Sequence, residues 1–380
     1  MKKMQQHEKQ FSLKDQLFNK DKVRKISLEI LAVYPEFDSK NFQKTILAKF
    51  PEQELMERLR GTRDALREYL PKDYKKAVHI LLKALPKELD PTKTDNDFGD
   101  FIYGPYSYYI ATYGCMEKQV NLSLLALGEM TKRFSVEGAI RDFINSFPKE
   151  TLAALNEWSK SDNYHQRRLA SEGTRPLLPW AKRVDLASSK VVPILNRLHG
   201  DQTRYVTRSV ANHLNDISKS DPDLVLKLLK GWHKQAKQES KELAFMTRHS
   251  LRTLIKNGHP GALKLLGYGV SDIKVSQFKL QTKKVKVGST LDFSFQIKSE
   301  SKSKQNLMVD YVVYFRKANN TLTPKTFKIG TRILEAGETM KIDKVHPFKL
   351  MSTRALYSGE HAMELQINGQ AFGKQKFEVV

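Results

Sequence analysis

The chain of 380 residues has room for roughly two or three domains, and its 65 Lys+Arg against 42 Asp+Glu give a formal charge of +23. Such a surplus favours a polyanionic partner, nucleic acid ahead of an anionic membrane or an acidic protein, over a basic surface that is merely solvated. A single cysteine, Cys115, excludes an internal disulfide and a cysteine-rich zinc site. No apolar run is long enough to span a membrane, and the polar start MKKMQQHEKQ lacks the apolar core of a secretory signal, so a cytoplasmic location is expected.

From about residue 12 to 267 the apolar spacing is helical. LAVYPEFDSKNFQKTILAKF, ELMERLRGTRDALREYL and YKKAVHILLKAL carry apolar residues three and four apart, with prolines between segments. Short helices joined by short polar turns predict an α-solenoid or an irregular helical array. Within this region Arg168, Arg208 and Arg248 stand forty residues apart, and Asn156 and Asn196 repeat the same interval upstream. Forty residues holding two helices is the HEAT-type period. One helical turn after each arginine come Glu172, Asn212 and Arg252, and a turn later Pro176, Asp216 and Lys256. Stacked second helices would line one wall with these columns, either to hold phosphates or as a ladder of ion pairs between repeats.

The pattern changes near Gly267-Tyr268-Gly269. IKVSQFKL, TLDFSFQIKS, LMVDYVVYFRK, TFKIGTRIL, TMKIDKVHPF, HAMELQIN and KQKFEVV alternate with period two between Gly, Asn and Ser turns. Seven short strands without a disulfide predict a generic immunoglobulin-like β-sandwich. The expected division is a helical domain over 1–268 and a sandwich over 272–380. Residues 272–380 hold 19 basic and 10 acidic residues, leaving 46 and 32 before them, so both parts are basic. Lys283, Lys284 and Lys286 form a local cluster, suited to DNA contact or to a charged edge strand that discourages aggregation.

Several chemistries have no support. The chain has no GxxxxGK[ST] or strand–GxGxxG–helix pattern, no HExxH pair, no Cys/His metal spacing and no GxSxG elbow. No metal or cofactor is expected. What stands out is RRLASEGTRPLLPWAKRV (167–184), where a carboxylate and an indole sit among arginines. Glu172 has two readings: it anchors Arg168 and Arg175, or it stabilises positive charge that develops on a ligand. Cleavage of an N-glycosidic bond creates such a charge on the sugar, and a nearby anion lowers that barrier and orients water. Trp180 follows Pro176 and Pro179, at a helix end or loop from which its ring can project. Trp158 and Trp232 lie in first helices and read as core.

RRLASEGTRPLLPW, followed by TRSVANHLNDISKSDPDLV, resembles the HEAT-like DNA alkylation repair glycosylases, in particular their AlkC branch. LDPTKTDNDFGDFIYGPYSYYIATYG (89–114) is similar to the segment before the repeat core in that branch. The resemblance covers roughly residues 70–265, and a C-terminal immunoglobulin-like domain occurs in one subset of the branch. It implies a mainly α, HEAT-like solenoid followed by an all-β sandwich. It also implies a monomeric, monofunctional glycosylase that hydrolyses the N-glycosidic bond of cationic alkylated bases, such as 3-methyladenine and 3-methylcytosine, in double-stranded DNA. The family is expected to work from the backbone side, without flipping the base into a pocket.

By matching positions, the resemblance makes Glu172 and Trp180 the central pair and Asp216 a second carboxylate. Glu137, in FSVEGAIRDF, is a third, otherwise a helix-surface glutamate. Arg168, Arg175, Arg208 and Arg248 would hold phosphates, with Asn212 beside them. The third unit has Arg252 and Lys256 where its neighbours have Asn212 and Asp216, so it would bind backbone only. The rival reading is a non-catalytic HEAT-repeat scaffold that binds nucleic acid or protein. A protein scaffold should show an apolar groove and little salt dependence, whereas a DNA binder loses affinity steeply with salt.

Overall fold

The structure is a computed structural model describing residues 12–349 and 355–380. Helices run from Leu13 to Leu265, and strands from Ile273 to Val379. Two successive helix pairs carry the repeat: Pro148–Trp158 with Tyr164–Glu172, and Ser188–Leu198 with Arg204–Ile217. Their starts, 148 and 188, then 164 and 204, keep the forty-residue interval. Local chemistry sets the ends. Pro148 occupies a first turn, where no amide hydrogen is needed, and the Asn163 side chain accepts from the His165 backbone at 3.0 Å. The helix carrying Glu172 stops at Gly173, three residues before Pro176, which cannot continue it. Gly128 lets the preceding helix come close: a Cβ there would lie 2.7 Å from the Trp158 ring. Trp158 and the 1 % exposed Trp232 are packing residues, as their first-helix positions suggest.

The third pair, Pro222–Gln235 and Ser240–Ser250, departs from the interval. Arg168 and Arg208 each sit four residues into their helices. Arg248 sits near the end of its own, and a short separate helix, Arg252–Lys256, follows. The arginine column is therefore regular over two units only.

The strands are β1 (Ile273–Leu280), β2 (Lys284–Val285), β3 (Thr290–Ser299), β4 (Gln305–Arg316), β5 (Leu322–Leu334), β6 (Thr339–Pro347), β7 (Gly359–Ile367) and β8 (Gln370–Val379). They form a three-stranded sheet, β1-β3-β6, and a five-stranded sheet, β2-β8-β7-β4-β5. Seven match the alternating segments of the sequence. β2 is an addition of two residues, too short to show a period, and pairs in parallel with β8. Alternate residues of β3 (Leu291, Phe293, Phe295, Ile297) and of β4 (Leu307, Val309, Tyr311, Val313) enter one shared core. This is a β-sandwich closed by packing, without a disulfide.

The chain divides into two compact units, and the division is not at the change from helix to strand. One unit runs to Ile217 and includes Gln235–Met246; the other holds Ser218–Lys234 and Thr247–Val380. Within the second unit the last helical turns are tied to the five-stranded sheet. Thr326 Oγ1 donates to the Lys256 carbonyl at 3.0 Å, and Asn368 Nδ2 donates to the Gly269 carbonyl at 2.9 Å. Gly258 and Gly369, both at positive φ, meet so closely that a Cβ on Gly369 would lie 2.4 Å from the Gly258 carbonyl oxygen.

Candidate active site

Helix Tyr164–Glu172 brings Arg168 and Glu172 to one face, and the next turn brings Arg175 beside them. Helix Arg204–Ile217 adds Ser209 and Asp216. The result is an alternating chain of charge. Arg168 Nη1 donates to Glu137 Oε2 at 2.5 Å and to Ser135 Oγ at 2.7 Å, and its Nη2 lies 3.6 Å from Glu172 Oε1. Arg175 Nη1 donates to Glu172 Oε1 at 2.6 Å, and its Nε to Asp216 Oδ2 at 2.9 Å. Ser209 Oγ donates to the other Glu172 oxygen at 2.6 Å. The Arg168 guanidinium also stacks 4.4 Å from the Tyr205 ring centre and 5.4 Å from that of Phe98.

Burial alone would push the Glu172 carboxyl up. Arg168, Arg175 and Ser209 outweigh it and hold that carboxyl below its ordinary value, so Glu172 is an anion at neutral pH. Glu172 and Asp216 are each 4 % exposed, so neither fronts the surface. The Glu137 side chain is 28 % exposed. It also lines a cavity of about 210 Å³ whose walls include Phe98, Phe101, Tyr108, Phe134, Pro179 and Trp180. Trp180 is 81 % exposed and holds φ at +59°, a left-handed conformation that a bulky residue seldom adopts. The projecting indole inferred from Pro176 and Pro179 is thus present, beside the carboxylate ranked third in the sequence.

The expected phosphate ligands separate into two groups. Arg168 and Arg175 are 6 % and 8 % exposed and engaged with carboxylates, which is the anchoring arrangement and not that of a phosphate contact. Arg208 is half-buried, with its guanidinium 2.5 Å from Asp95 and 3.0 Å from Asn96 Oδ1. Asn212 is half-buried, Arg248 exposed and Arg252 half-buried. Lys283, Lys284 and Lys286 are exposed on the sandwich, Lys284 lying 3.6 Å from Glu378.

The sequence reading passed over Arg141. Its helix, Ile140–Ser146, begins just after Glu137. The guanidinium is fully buried and donates to four backbone carbonyls: Gly173 at 3.0 Å, Arg175 at 2.8 Å, Pro176 at 3.4 Å, and Lys182. These acceptors lie on both sides of Trp180. The same helix holds the far end of the loop, where Asn145 Nδ2 donates to the Arg183 carbonyl at 2.9 Å. Burial lowers the Arg141 pKa to about 10, helped by the Arg175 charge, yet leaves it protonated at neutral pH. The available signal was an arginine between the apolar Ile140 and Phe143, four residues after Glu137.

His213 lies beneath the cluster. Burial lowers its pKa to about 4, with the Arg175 charge acting in the same direction, and its Nε2 is without a partner among the described residues. The folded value is below the unfolded one. The unfolded chain therefore gains a proton first as pH falls through about 6.5, and stability drains away until about pH 4. His213 alone should account for about 3 kcal/mol of that loss. Buried His165 and His199 act with the same sign. Urea unfolding between pH 7.5 and 4.5 should show stability falling with pH, with a shallower fall in His213→Gln. Equal slopes would remove the buried imidazole as the cause.

Among the described residues no group of three or more His, Cys, Asp or Glu could hold a metal ion, and no helix is long and apolar enough to cross a membrane.

Comparison with known proteins identifies the family and the fold. Residues 134–254 match the family model described as DNA alkylation repair enzyme, and residues 274–380 match the C-terminal immunoglobulin-like domain of the uncharacterised protein YhaZ. The Bacillus subtilis (strain 168) protein YhaZ, itself uncharacterised, is 33 % identical over 369 residues, covering 96 % of this chain and 98 % of that protein. The Pseudomonas fluorescens alkylpurine DNA glycosylase AlkC, solved bound to DNA containing an abasic-site analogue, superposes with a TM-score of 0.85 at 33 % identity. That match covers 97 % of this chain and all of AlkC. With both domains matched in order and the likeness running nearly end to end, the chain belongs to the AlkC branch of the DNA alkylation repair enzyme family.

Proposed function

We propose that the protein is a monofunctional DNA glycosylase that hydrolyses the N-glycosidic bond of cationic alkylated bases, such as 3-methyladenine and 3-methylcytosine, in duplex DNA. The observation that carries this reading is the placement of Glu137: a partly exposed carboxylate on a cavity rimmed by an exposed indole, with a second buried anion behind it. An alkylated base is already cationic. As C1′–N breaks, the bonding pair moves onto the ring and neutralises it, so no general acid is needed for departure. Positive charge passes to the sugar. Glu137 faces that charge, and Glu172 adds the field of a permanent anion. Water adds to C1′ and gives its proton to the Glu137 carboxylate. The Trp180 ring offers its negative face to the developing cation.

Arg168 and Arg175 are positioning residues in this scheme. Their charge fixes the carboxylates, and phosphate contact falls to Arg208, Asn212, Arg248 and Arg252. Repeats within 1–268 carry the chemistry, and Lys283, Lys284 and Lys286 give the sandwich over 272–380 its backbone contact. Attack from the backbone side, without flipping, suits a site whose carboxylate lies at a surface opening. The test is single-turnover release of 3-methyladenine and 3-methylcytosine from duplex DNA, with binding to undamaged duplex measured alongside. Base release supports the reading. Salt-sensitive binding without release would make the chain a nucleic-acid binder, and neither would sink both.

A further inference from the structure

The second compact unit contains a basic cavity that includes Arg248 and Arg252, two of the proposed phosphate contacts, together with residues to which no role has been given. About 200 Å³ in volume, it lies between the last helices and the outer face of β4 and β5. Arg248, Arg252 and Lys256 line it from the helices, and Lys328 from the sheet. At its wall is Asp310, 6 % exposed, with no hydrogen-bond or ion-pair partner among the described residues. Lys328 is the cation whose charge acts on this carboxylate, without an ion pair between them, and a buried carboxylate left unpaired is costly. The ladder is irregular at the same point. Val309 pairs with Gly330 and Asp310 with Lys328, so Ile329 is an extra residue in β5. Bulges of this kind re-aim side chains next to sites.

The cavity therefore presents cations to an anion and one unmet carboxyl group to a hydrogen-bonding atom. We propose that it is a phosphate-binding subsite for the nucleic-acid backbone, in which neutral Asp310 donates its proton to a phosphate oxygen while Lys328 and the helix cations supply charge. The identity of the ligand as DNA rests on the proposed function; the oxyanion chemistry does not. Burial raises the Asp310 pKa to about 6 against the pull of Lys328, so the neutral form is within reach near neutral pH. The charged group acting on Asp310 is Lys328 on β5, while Arg248 on one helix and Arg252 and Lys256 on the next line the same cavity. On β7 its neighbour is the uncharged Gln366. The sign follows. Below its pKa Asp310 donates to phosphate, and above it the carboxylate repels. The contribution of this subsite to affinity is present at low pH and lost as pH rises through about 6.

The experiment uses the full chain, with undamaged duplex and inorganic phosphate as separate probes. For duplex, wild-type affinity should decline from pH 5.5 to 8. Asp310→Asn keeps a donor at every pH, so it should bind about tenfold more tightly than wild type at pH 8 and lose most of that pH dependence. Lys328→Ala should weaken binding at every pH and lower the slope of log affinity against log salt by about one. For inorganic phosphate, wild type should gain thermal protection over an equal ionic strength of chloride, and Lys328→Ala should lose it. If Asp310→Asn binds duplex no better than wild type at pH 8 and phosphate protects neither form, the cavity holds only water and the proposal is overturned. Phosphate protection without an effect on duplex would limit the site to free phosphate and overturn its backbone role. Base release by wild type reads the glycosylase activity separately, so failure of this subsite and failure of the proposed activity are distinct results.

Discussion

Glu137→Gln should lower the single-turnover rate of base release by about 10²- to 10⁴-fold and leave duplex affinity nearly unchanged. The amide keeps the size of the side chain and can still accept from Arg168 and Ser135. It removes the charge that faces the sugar and the acceptor for the water proton. Because Glu137 is partly exposed, the fold should tolerate the change. Glu172→Gln is expected to behave differently. Its two oxygens serve Arg175 and Ser209 deep in the unit, with Arg168 close by. Removing that anion leaves two buried guanidiniums short of charge, at a cost of about 3–5 kcal/mol. A rate loss in Glu172→Gln thus mixes chemistry with stability, whereas one in Glu137→Gln does not. Measuring rate, affinity and melting temperature for both variants separates the roles. Wild-type rates in Glu137→Gln would remove it from the mechanism.

Arg141→Met should disable the site from beneath. Its guanidinium serves four carbonyls of the loop that carries Trp180 and Arg175, and a thioether can serve none. Each buried carbonyl left without a donor costs about 1–3 kcal/mol, moderated where the loop relaxes toward water. The loop also holds Trp180 in a left-handed conformation that its neighbours must enforce. The expected result is a rate loss of about 10²-fold or more, larger than the loss of affinity, since misplacement mainly affects the transition state. Trp180 fluorescence in a Trp158→Phe, Trp232→Phe background should become less sensitive to bound duplex. Arg141→Lys keeps the charge but reaches fewer acceptors, so it should recover part of the rate. A purely structural role would lower the melting temperature without changing the Trp180 signal at temperatures where the variant is folded. An unchanged rate in Arg141→Met would show that the loop holds itself.

Much of this protein follows from local sequence physics. The change of period near Gly267 separates helices from strands because periods of 3.6 and two are written residue by residue. Forty-residue spacing sets out two helix pairs, since each is one locally closed unit. The proline pair before Trp180 implies an indole outside a helix, for proline denies the helix its amide hydrogens and space. Tertiary structure decided what those residues do. Arg168 looks like the first phosphate ligand of a column and Arg175 like another beside it, but burial turned both inward, because the carboxylates that claim them come from three different segments. Glu137 and Trp180 are 43 positions apart and share a cavity only because Arg141 and its helix join their two loops. Asp310 reads as one charge on a strand; a bulge and a helix from outside the strand pattern left it unpaired among cations. Charge and period are local properties of a chain, whereas burial and partnership depend on which distant segments close over a side chain, and those two decide the role of each residue at this site.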